Sequence, residues 1–347
     1  IGNNFGIPAG WKGVIHDTAS TSTLTAIISA REKYSQFKIN QHGYNNFNAL
    51  TLYCSAQTHY SIEKGAKAAG IGLDNVIKIA TDENYAMQAA ALEKQIQNDL
   101  AAGKQPFMVV AALGTTSSLA FDPLSAISAI CKKYNLWLHI DAAYAGAAFV
   151  LEEYQHYLNG IIDADSYVFN AHKWLFTNFD CSLYFVKDAQ LLINTFSSNP
   201  DYLKRTMDEV TNFKDWGLPL GRRFRALKLW FMLRSFGIDG IKLHLRKHIA
   251  LAQHFLAKLL SGTNWELMAP FQMNVLCIRF HPAHIQDNDA LNKINENIIQ
   301  SINATGKFYL SGTRLNGNFV IRVVIGQTHV EKRHVEELVM LLHQVTA

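Results

Sequence analysis

The sequence is poor in charge, and this shortage narrows the classes of partner that the chain can bind. Charged residues make up 17% of the chain, below the roughly 25% typical of globular proteins. The 32 Lys and Arg residues outnumber the 28 Asp and Glu residues only slightly, giving a net charge of +4. Because no block of Lys and Arg stands out, we expect no nucleic acid partner and no membrane partner.

Cysteine, proline and long apolar runs are also scarce. The cysteines are Cys54, Cys131, Cys181 and Cys277, and none has CxxC or paired spacing. This predicts neither a disulfide framework nor a zinc site, so no metal is expected. No apolar stretch approaches the roughly 18 residues that cross a bilayer, and the 7 prolines form no low-complexity tract. With 49% hydrophobic residues, the composition predicts a globular, cytoplasmic protein of roughly two domains.

Strand-like and helix-like segments alternate over the first two thirds of the sequence. Short apolar runs alternate with segments in which apolar residues recur every three or four positions. This alternation predicts an α/β domain with a mostly parallel sheet. The predicted strands are residues 48–54, 75–80, 106–113, 136–143, 166–170 and 181–187.

A long amphipathic helix is predicted over residues 221–237, at the end of this series. Beyond it, the pattern predicts a smaller α/β domain, with helices at 243–260 and 288–304 and strands at 274–280 and 319–324. We therefore predict a larger domain at residues 1–226 and a smaller one at 227–347.

Four chemical features follow predicted strands or precede a predicted helix, where parallel α/β sheets place their ligands. Asp141 ends one strand, Lys173 follows another, His59 lies on a loop, and residues 17–23 carry five hydroxyl groups before a helix. Each has an ordinary structural alternative. Asp141 can cap a helix or form an ion pair, Lys173 can extend its amine into water, and His59 can be a structural or solvated histidine. Residues 17–23 can cap the following helix, although capping needs only one Ser or Thr.

Taken together, these features suit pyridoxal phosphate (PLP). This cofactor needs a lysine for a Schiff base, a carboxylate for its pyridine nitrogen and a helix N-terminus for its phosphate. Lys173, Asp141 and the hydroxyl-rich segment 17–23 supply these parts, and a flat group such as His59 can lie against the ring. The hydroxyls of residues 115–118 can add to the phosphate site. Spacing alone does not distinguish this arrangement from coincidence.

Two central segments resemble the aromatic L-amino acid decarboxylases of the group II PLP-dependent decarboxylases. They are HIDAAYAGAAF and NAHKWLFTNFDCS, and further similar blocks follow the family's order: GVIHDTASTSTL, YCSAQTHYS, AALGTTSSLAFDPL and LPLGRRFRALKLWF. The resemblance implies decarboxylation of an aromatic L-amino acid of the DOPA, tyrosine or tryptophan type, with PLP as cofactor, in a homodimer. It also implies a fold-type I α/β architecture, with a mostly parallel seven-stranded sheet and a smaller C-terminal α/β domain.

The resemblance also assigns individual residues. It implies that Lys173 forms the Schiff base, that Asp141 pairs with the pyridine nitrogen and that His59 stacks on the ring. Tyr202 matches a mobile-loop tyrosine that returns a proton to the substrate carbon after carbon dioxide leaves. The other positions that match cofactor contacts of the family are Thr18, Ala19, Ser20, Thr116, Ala143, Asn170 and His172.

The sequence departs from the family most at its beginning. Family members carry a substantial N-terminal segment that swaps across the dimer and supplies much of the substrate pocket. Few residues precede the phosphate block here, and the chain begins at Ile1. We expect a fragment that lacks this segment, the alternative being a pocket built differently. Ala171 stands where animal members commonly have proline, a change expected to cost little.

Other functions within and outside the family remain as alternatives. The first is a group II decarboxylase of glutamate, diaminobutyrate or histidine type, against which the segment NFDCS favours the aromatic branch. The second is an aromatic aldehyde synthase, which arises when the loop tyrosine or the stacking histidine changes; Tyr202 and His59 are both present. The third is a non-catalytic fragment, against which Lys173 and Asp141 also argue. Gly221 is compatible with bulky indole or catechol substrates.

Overall fold

A computed structural model of the chain describes residues 2–45, 47–198, 211–262 and 264–346. The chain divides into two compact units, the larger formed by Ile1–Gly114 and Phe121–Ser235. The smaller is formed by Thr115–Ala120 and Phe236–Ala347. The domain boundary predicted between residues 226 and 227 falls within a helix, Arg225–Leu260, and stays a prediction.

Strands and helices alternate along the larger unit, as the sequence pattern predicts. The strands are β1 (Lys12–His16), β2 (Leu50–Ser55), β3 (Val76–Ile79), β4 (Gln105–Ala112), β5 (Trp137–Asp141), β6 (Ser166–Asn170) and β7 (Ser182–Val186). The helices are α1 (Ala19–Ser35), α2 (Lys38–His42), α3 (Ser61–Ala68), α4 (Ala89–Ala101), α5 (Leu124–Tyr134), α6 (Ala171–Trp174) and α7 (Ala189–Phe196). The prediction of an α/β domain is confirmed.

Within the described residues, the seven strands form one sheet in the order β1-β7-β6-β5-β4-β2-β3. Strand β7 is antiparallel to both of its neighbours, β1 and β6. The remaining pairings are parallel, so β1 to β6 all run in one direction. This confirms the mostly parallel seven-stranded sheet that the family resemblance implies.

The apolar strands of the sheet are covered on both faces. All residues of β2, β5, β6 and β7 are buried, as expected for parallel strands between layers of helices. Helix α1 packs its buried residues, Ala26 and Ile27 among them, with Val168 of β6 and Tyr184 of β7 in one apolar cluster. Because side chains alternate between the two faces of a strand, α1 covers the face to which Val168 and Tyr184 point.

The smaller unit contains its own antiparallel sheet. Its strands are β8 (Trp265–Leu267), β9 (Val275–Phe280), β10 (Ser311–Leu315) and β11 (Asn318–Val324), in the order β10-β11-β9-β8. The helices α9 (Asn288–Ala304) and α10 (Lys332–Thr346) contribute Ile298, Ile302 and Leu338 to a core with this sheet. The prediction of a smaller C-terminal α/β domain is confirmed.

The helix α8 (Arg225–Leu260) is interrupted at one residue. Gly237 has φ 62° and ψ 174°, a left-handed conformation that glycine adopts without steric cost. The sequence prediction ended one helix at this glycine and began the next at residue 243. Among the described helices, including this long one, none is apolar enough over a sufficient length to cross a membrane.

Candidate active site

Asp141 and Asn170 end the neighbouring parallel strands β5 and β6, so both lie at the carboxyl edge of the sheet. Backbone and side-chain hydrogen bonds join the two strand ends through Ala143. The Asn170 N–H donates to the Ala143 carbonyl at 3.0 Å, and the Ala143 N–H donates to Asp141 Oδ1 at 3.0 Å. The structure therefore brings these three sequence-predicted residues together.

His59 lies half-buried on the loop after β2, where the charges of two other candidate residues act on it. Its Nδ1 accepts the Ser61 N–H at 3.2 Å, which places the ring proton on Nε2 in the neutral imidazole. Burial lowers the pKa of His59; the Asp141 carboxylate raises this pKa, and the Lys173 ammonium lowers it. The amine and the acid therefore both act on the ring that is expected to stack on the cofactor.

Lys173 is exposed on the short helix α6, directly after β6. The preceding residue, His172, is held by the residue directly before β7, because the His172 Nδ1 accepts the Cys181 N–H at 2.8 Å. Burial lowers the pKa of His172, and the Lys173 charge adds to this effect. The loop between α6 and β7 is further held by Asp180, whose carboxylate accepts two hydrogen bonds from Arg225 at 2.9 and 3.1 Å. These bonds lower the pKa of Asp180 to about 2.

The N-terminus of α1 follows β1, which runs parallel to β5 and β6, so it also lies at the carboxyl edge. Thr18 caps the helix: its Oγ1 accepts the Thr21 N–H at 3.5 Å. Ala19 and Ser20 are the first helical residues, whose N–H groups have no acceptor within the helix. Ser20 is exposed. Free N–H groups at a helix N-terminus favour an anion such as a phosphate.

The roles of two further predicted site residues are not tested by these contacts. Thr116 is exposed on the segment Thr115–Ala120, which clusters with the smaller unit. Ser117 of that segment shares a hydrogen bond of 3.0 Å with Thr313. Tyr202 lies outside the described residues. The functional assignments of Thr116 and Tyr202 both stay predictions.

Two buried histidines near the candidate residues were missed by the sequence reasoning. His139 precedes Asp141 by two residues on β5 and is 0% exposed. His16, at the end of β1, bonds Ser22 of α1 at 3.0 Å and the Trp216 carbonyl at 3.3 Å. His139 follows apolar residues and was predicted as part of the strand at residues 136–143, whereas the strand that contains His16, β1, was not predicted. A polar ring in an otherwise apolar strand, beside a candidate acid, is the signal that could have singled out His139.

The polar groups at the carboxyl edge fit PLP. Asp141 is 7% exposed and offers a carboxylate to the pyridine N–H. Oδ1 of Asn170 is buried and has no hydrogen-bond partner within the described part of the chain, so it is an acceptor without a donor. The α1 N-terminus offers donors to a phosphate, and the neutral ring of His59 offers a flat surface. These residues would offer an acceptor to the ring nitrogen of PLP and donors to its phosphate.

Known proteins with similar sequences include a plant decarboxylase and a plant aldehyde synthase. The chain is 43% identical over 335 residues to tryptophan decarboxylase 2 of Oryza sativa subsp. japonica, covering 95% of this chain and 66% of that protein. It is 40% identical over 330 residues to phenylacetaldehyde synthase of Arabidopsis thaliana, covering 94% of this chain and 66% of that protein. The chain thus spans slightly less than two thirds of the length of these relatives.

The fold is similar to that of a solved plant enzyme. The structure of Oryza sativa TDC with PLP and tryptamine superposes with a TM-score of 0.95 at 31% identity, covering 99% of this chain and 73% of that one. Residues 3–281 match the model of the pyridoxal-dependent decarboxylase conserved domain. The chain therefore belongs to the pyridoxal-dependent decarboxylase family.

Proposed function

We propose that the complete protein decarboxylates an aromatic L-amino acid to the corresponding amine and carbon dioxide, with PLP as cofactor. The observation that carries the proposal is the position of His59, whose pKa responds to both Asp141 and Lys173. The charges of an amine and of an acid thus both reach one flat ring, which supports a PLP site. Similarity to a tryptophan decarboxylase of rice supports the choice of an aromatic substrate.

Each residue has a distinct task in this proposal. The Lys173 amine would hold the cofactor through its aldehyde, and the Asp141 carboxylate would keep the ring nitrogen protonated. When bound, PLP accepts the electron pair of the bond to the departing carboxylate. The imidazole of His59 would lie against the ring and would limit the access of water to it. The N–H groups of Ala19 and Ser20 bind the phosphate, with Thr18 as the cap.

The proton that replaces the carboxylate is assigned to Tyr202. The bond between the substrate α-carbon and its carboxylate breaks, carbon dioxide leaves, and the phenol of Tyr202 supplies a proton to the same carbon. An aldehyde synthase would instead consume dioxygen and release ammonia and peroxide. The presence of Tyr202 and His59 in the sequence favours the amine product. We expect Tyr202→Phe to convert part of the amine yield into aldehyde and peroxide, and an unchanged amine yield would remove Tyr202 from this role.

A substrate panel tests the proposed activity directly. Carbon dioxide and amine are measured with L-DOPA, L-tyrosine, L-tryptophan, 5-hydroxy-L-tryptophan and L-phenylalanine, on the longest available form of the chain with added PLP. L-glutamate, L-2,4-diaminobutyrate and L-histidine are the controls for the other branches. We expect turnover with at least one aromatic substrate and none with the controls. Turnover of a control amino acid and of no aromatic one would assign the protein to another branch of the family. Cofactor binding without turnover of any substrate would favour a non-catalytic role.

We also propose that the protein acts as a homodimer in the cytoplasm. The larger unit exposes a group of large apolar side chains that single-chain proteins rarely leave in water. They are Phe213, Leu218, Leu220, Phe224, Leu227, Trp230 and Phe231. Light scattering tests the assembly: a dimer has twice the 38.9 kDa mass of one chain, and a monomer at all concentrations would contradict it. The four cysteines are buried and unpaired, in keeping with a reducing compartment, which cell fractionation tests.

A further inference from the structure

Tyr60, the residue after His59, lies against the imidazole that is expected to stack on the cofactor. The centroids of the two rings are 4.2 Å apart, and their planes are inclined by 37°. A side-by-side contact through the ring edges would need a larger separation, so the Tyr60 ring contacts a face of the imidazole. The tyrosine therefore limits how far the His59 ring can tilt toward it.

Ser61 holds one nitrogen of the same imidazole, but this contact does not fix the tilt of the ring. Nδ1 of His59 lies 2.9 Å from Ser61 Oγ and accepts the Ser61 N–H at 3.2 Å. Hydrogen bonds accept a departure of about 30° from a straight line, and the χ2 angle of histidine has broad minima. The imidazole plane can therefore rock about its bonded nitrogen unless a second group touches its face. Tyr60 supplies such a contact.

The Tyr60 side chain contributes little to the core of the larger unit. It is 58% exposed, and although Tyr60 is the cap residue of α3, its side chain makes no capping hydrogen bond. Its ring is held instead by Lys64, one turn along α3, whose Nζ lies 5.0 Å from the ring centroid. A cation at this distance is attracted to the face of an aromatic ring. Lys64 thus restrains the tyrosine, and the tyrosine restrains the histidine.

We propose that Tyr60 is a positioning residue, which fixes the tilt of the His59 imidazole so that the opposite face of this ring is presented flat to the cofactor ring. An imidazole that is covered by an aromatic ring on one face has only its other face for a second flat group. Contact between two flat groups is lost as their planes open, because fewer atom pairs stay at the optimal separation. The inference rests on the proposed function, because the second ring is that of PLP.

The test compares Tyr60→Leu, which removes the flat ring, with Tyr60→Phe, which keeps the ring and loses only the hydroxyl. The matched control is Tyr309→Leu, at a tyrosine of the smaller unit that is 88% exposed. Dissociation constants of PLP are measured by titration. The circular dichroism of the bound cofactor is recorded as well, because it reports how rigidly the surrounding groups are packed. Neither measurement depends on turnover.

We expect Tyr60→Leu to weaken PLP binding about three- to tenfold, the scale of one lost aromatic contact, and to reduce the circular dichroism of the bound cofactor. Tyr60→Phe should match the wild type in both measurements, because the contact with His59 is made by the ring. Tyr309→Leu should leave both unchanged. Wild-type behaviour of Tyr60→Leu, or equal losses in Tyr60→Phe and Tyr60→Leu, would overturn the positioning role while the cofactor assignment stands.

A second measurement separates the inference from the proposed function, because it needs no cofactor. NMR relaxation of ¹³C-labelled histidine rings in the cofactor-free protein gives the order parameter of the His59 ring. We expect about 0.85 for the wild type and Tyr60→Phe, as for rigid groups, and below about 0.6 for Tyr60→Leu, as for flexible ones. An equally rigid His59 ring in all three proteins would overturn the inference. If the wild type bound no PLP, the proposed function would fail, and the order parameters would still decide whether Tyr60 fixes His59.

Discussion

The ammonium group of Lys173 lowers the pKa of His59, although one residue follows β6 and the other follows β2. The Asp141 carboxylate acts on the same imidazole in the opposite direction. Three loops from separate parts of the sequence thus place a base, an acid and an aromatic ring within electrostatic reach of one another. This relationship supports a PLP site, because PLP needs an amine, an acid and a flat group around a single ring.

The titration of His59 tests this proximity in the cofactor-free protein. Lys173→Met removes a positive charge and should raise the pKa of His59, whereas Asp141→Asn removes a negative charge and should lower it. The measurement is the pH dependence of the His59 ring signals in NMR spectra. Lys33→Met is the matched control, because the Lys33 amine pairs with Asp165 at 2.7 Å. Equal responses to all three substitutions would contradict the arrangement.

The buried histidines predict how stability depends on pH. Burial lowers the pKa of His16 from an ordinary 6.5 to about 4, so between these values the unfolded chain binds a proton that the folded chain does not. Unfolding becomes easier as the pH falls from about 6.5 to about 4. His16→Gln should therefore reduce the slope of unfolding free energy against pH by about 1 kcal/mol per pH unit.

Urea unfolding at a series of pH values measures this slope. The control is His284→Gln, because His284 is exposed and its replacement should leave the slope unchanged. If His16→Gln and the wild type lost stability in parallel on acidification, His16 would not be a neutral buried group.

Replacement of the candidate acid should separate cofactor binding from turnover. Asp141→Asn keeps the shape of the side chain and removes the charge that favours a protonated ring nitrogen. We expect the variant to retain PLP on Lys173 and to lose about 100-fold or more of its amine-forming rate, the scale of one lost electrostatic contact in an active site. The rate is measured at saturating PLP with the best substrate of the panel, and Asp289→Asn, an exposed position on α9, is the control. A rate within a few fold of the wild type would contradict this role.

Much of the fold was predictable because buried parallel strands are apolar at nearly every position. Six of the seven strands of the larger sheet were predicted from such runs, and the strand at residues 166–170 agrees with β6 at both ends. Strand β1 was missed because it begins with Lys12 and Gly13, which are exposed, and buries only Val14 and His16. Strand β8 has only three residues, and β10 is a polar strand in which only Leu315 is buried, so neither shows an apolar run.

The candidate site was predictable where chemistry falls at a strand end. Asp141 ends a strand and Lys173 follows one, and the parallel sheet places strand ends at a common edge. His139 was not predictable in the same way, because a single histidine among apolar residues does not show which groups it contacts. Its hydrogen bond to Ser166 depends on the register of β5 and β6, which the sequence pattern does not specify.

The central claim is that Lys173 carries the cofactor at the edge where Asp141 ends β5. Reduction with borohydride fixes PLP to the amine that holds it, and peptide mass spectrometry then locates the pyridoxyl group. The account predicts that the label is on Lys173 and that Lys173→Ala takes up none. A label on another lysine, or no label on the wild-type protein saturated with PLP, would contradict the account.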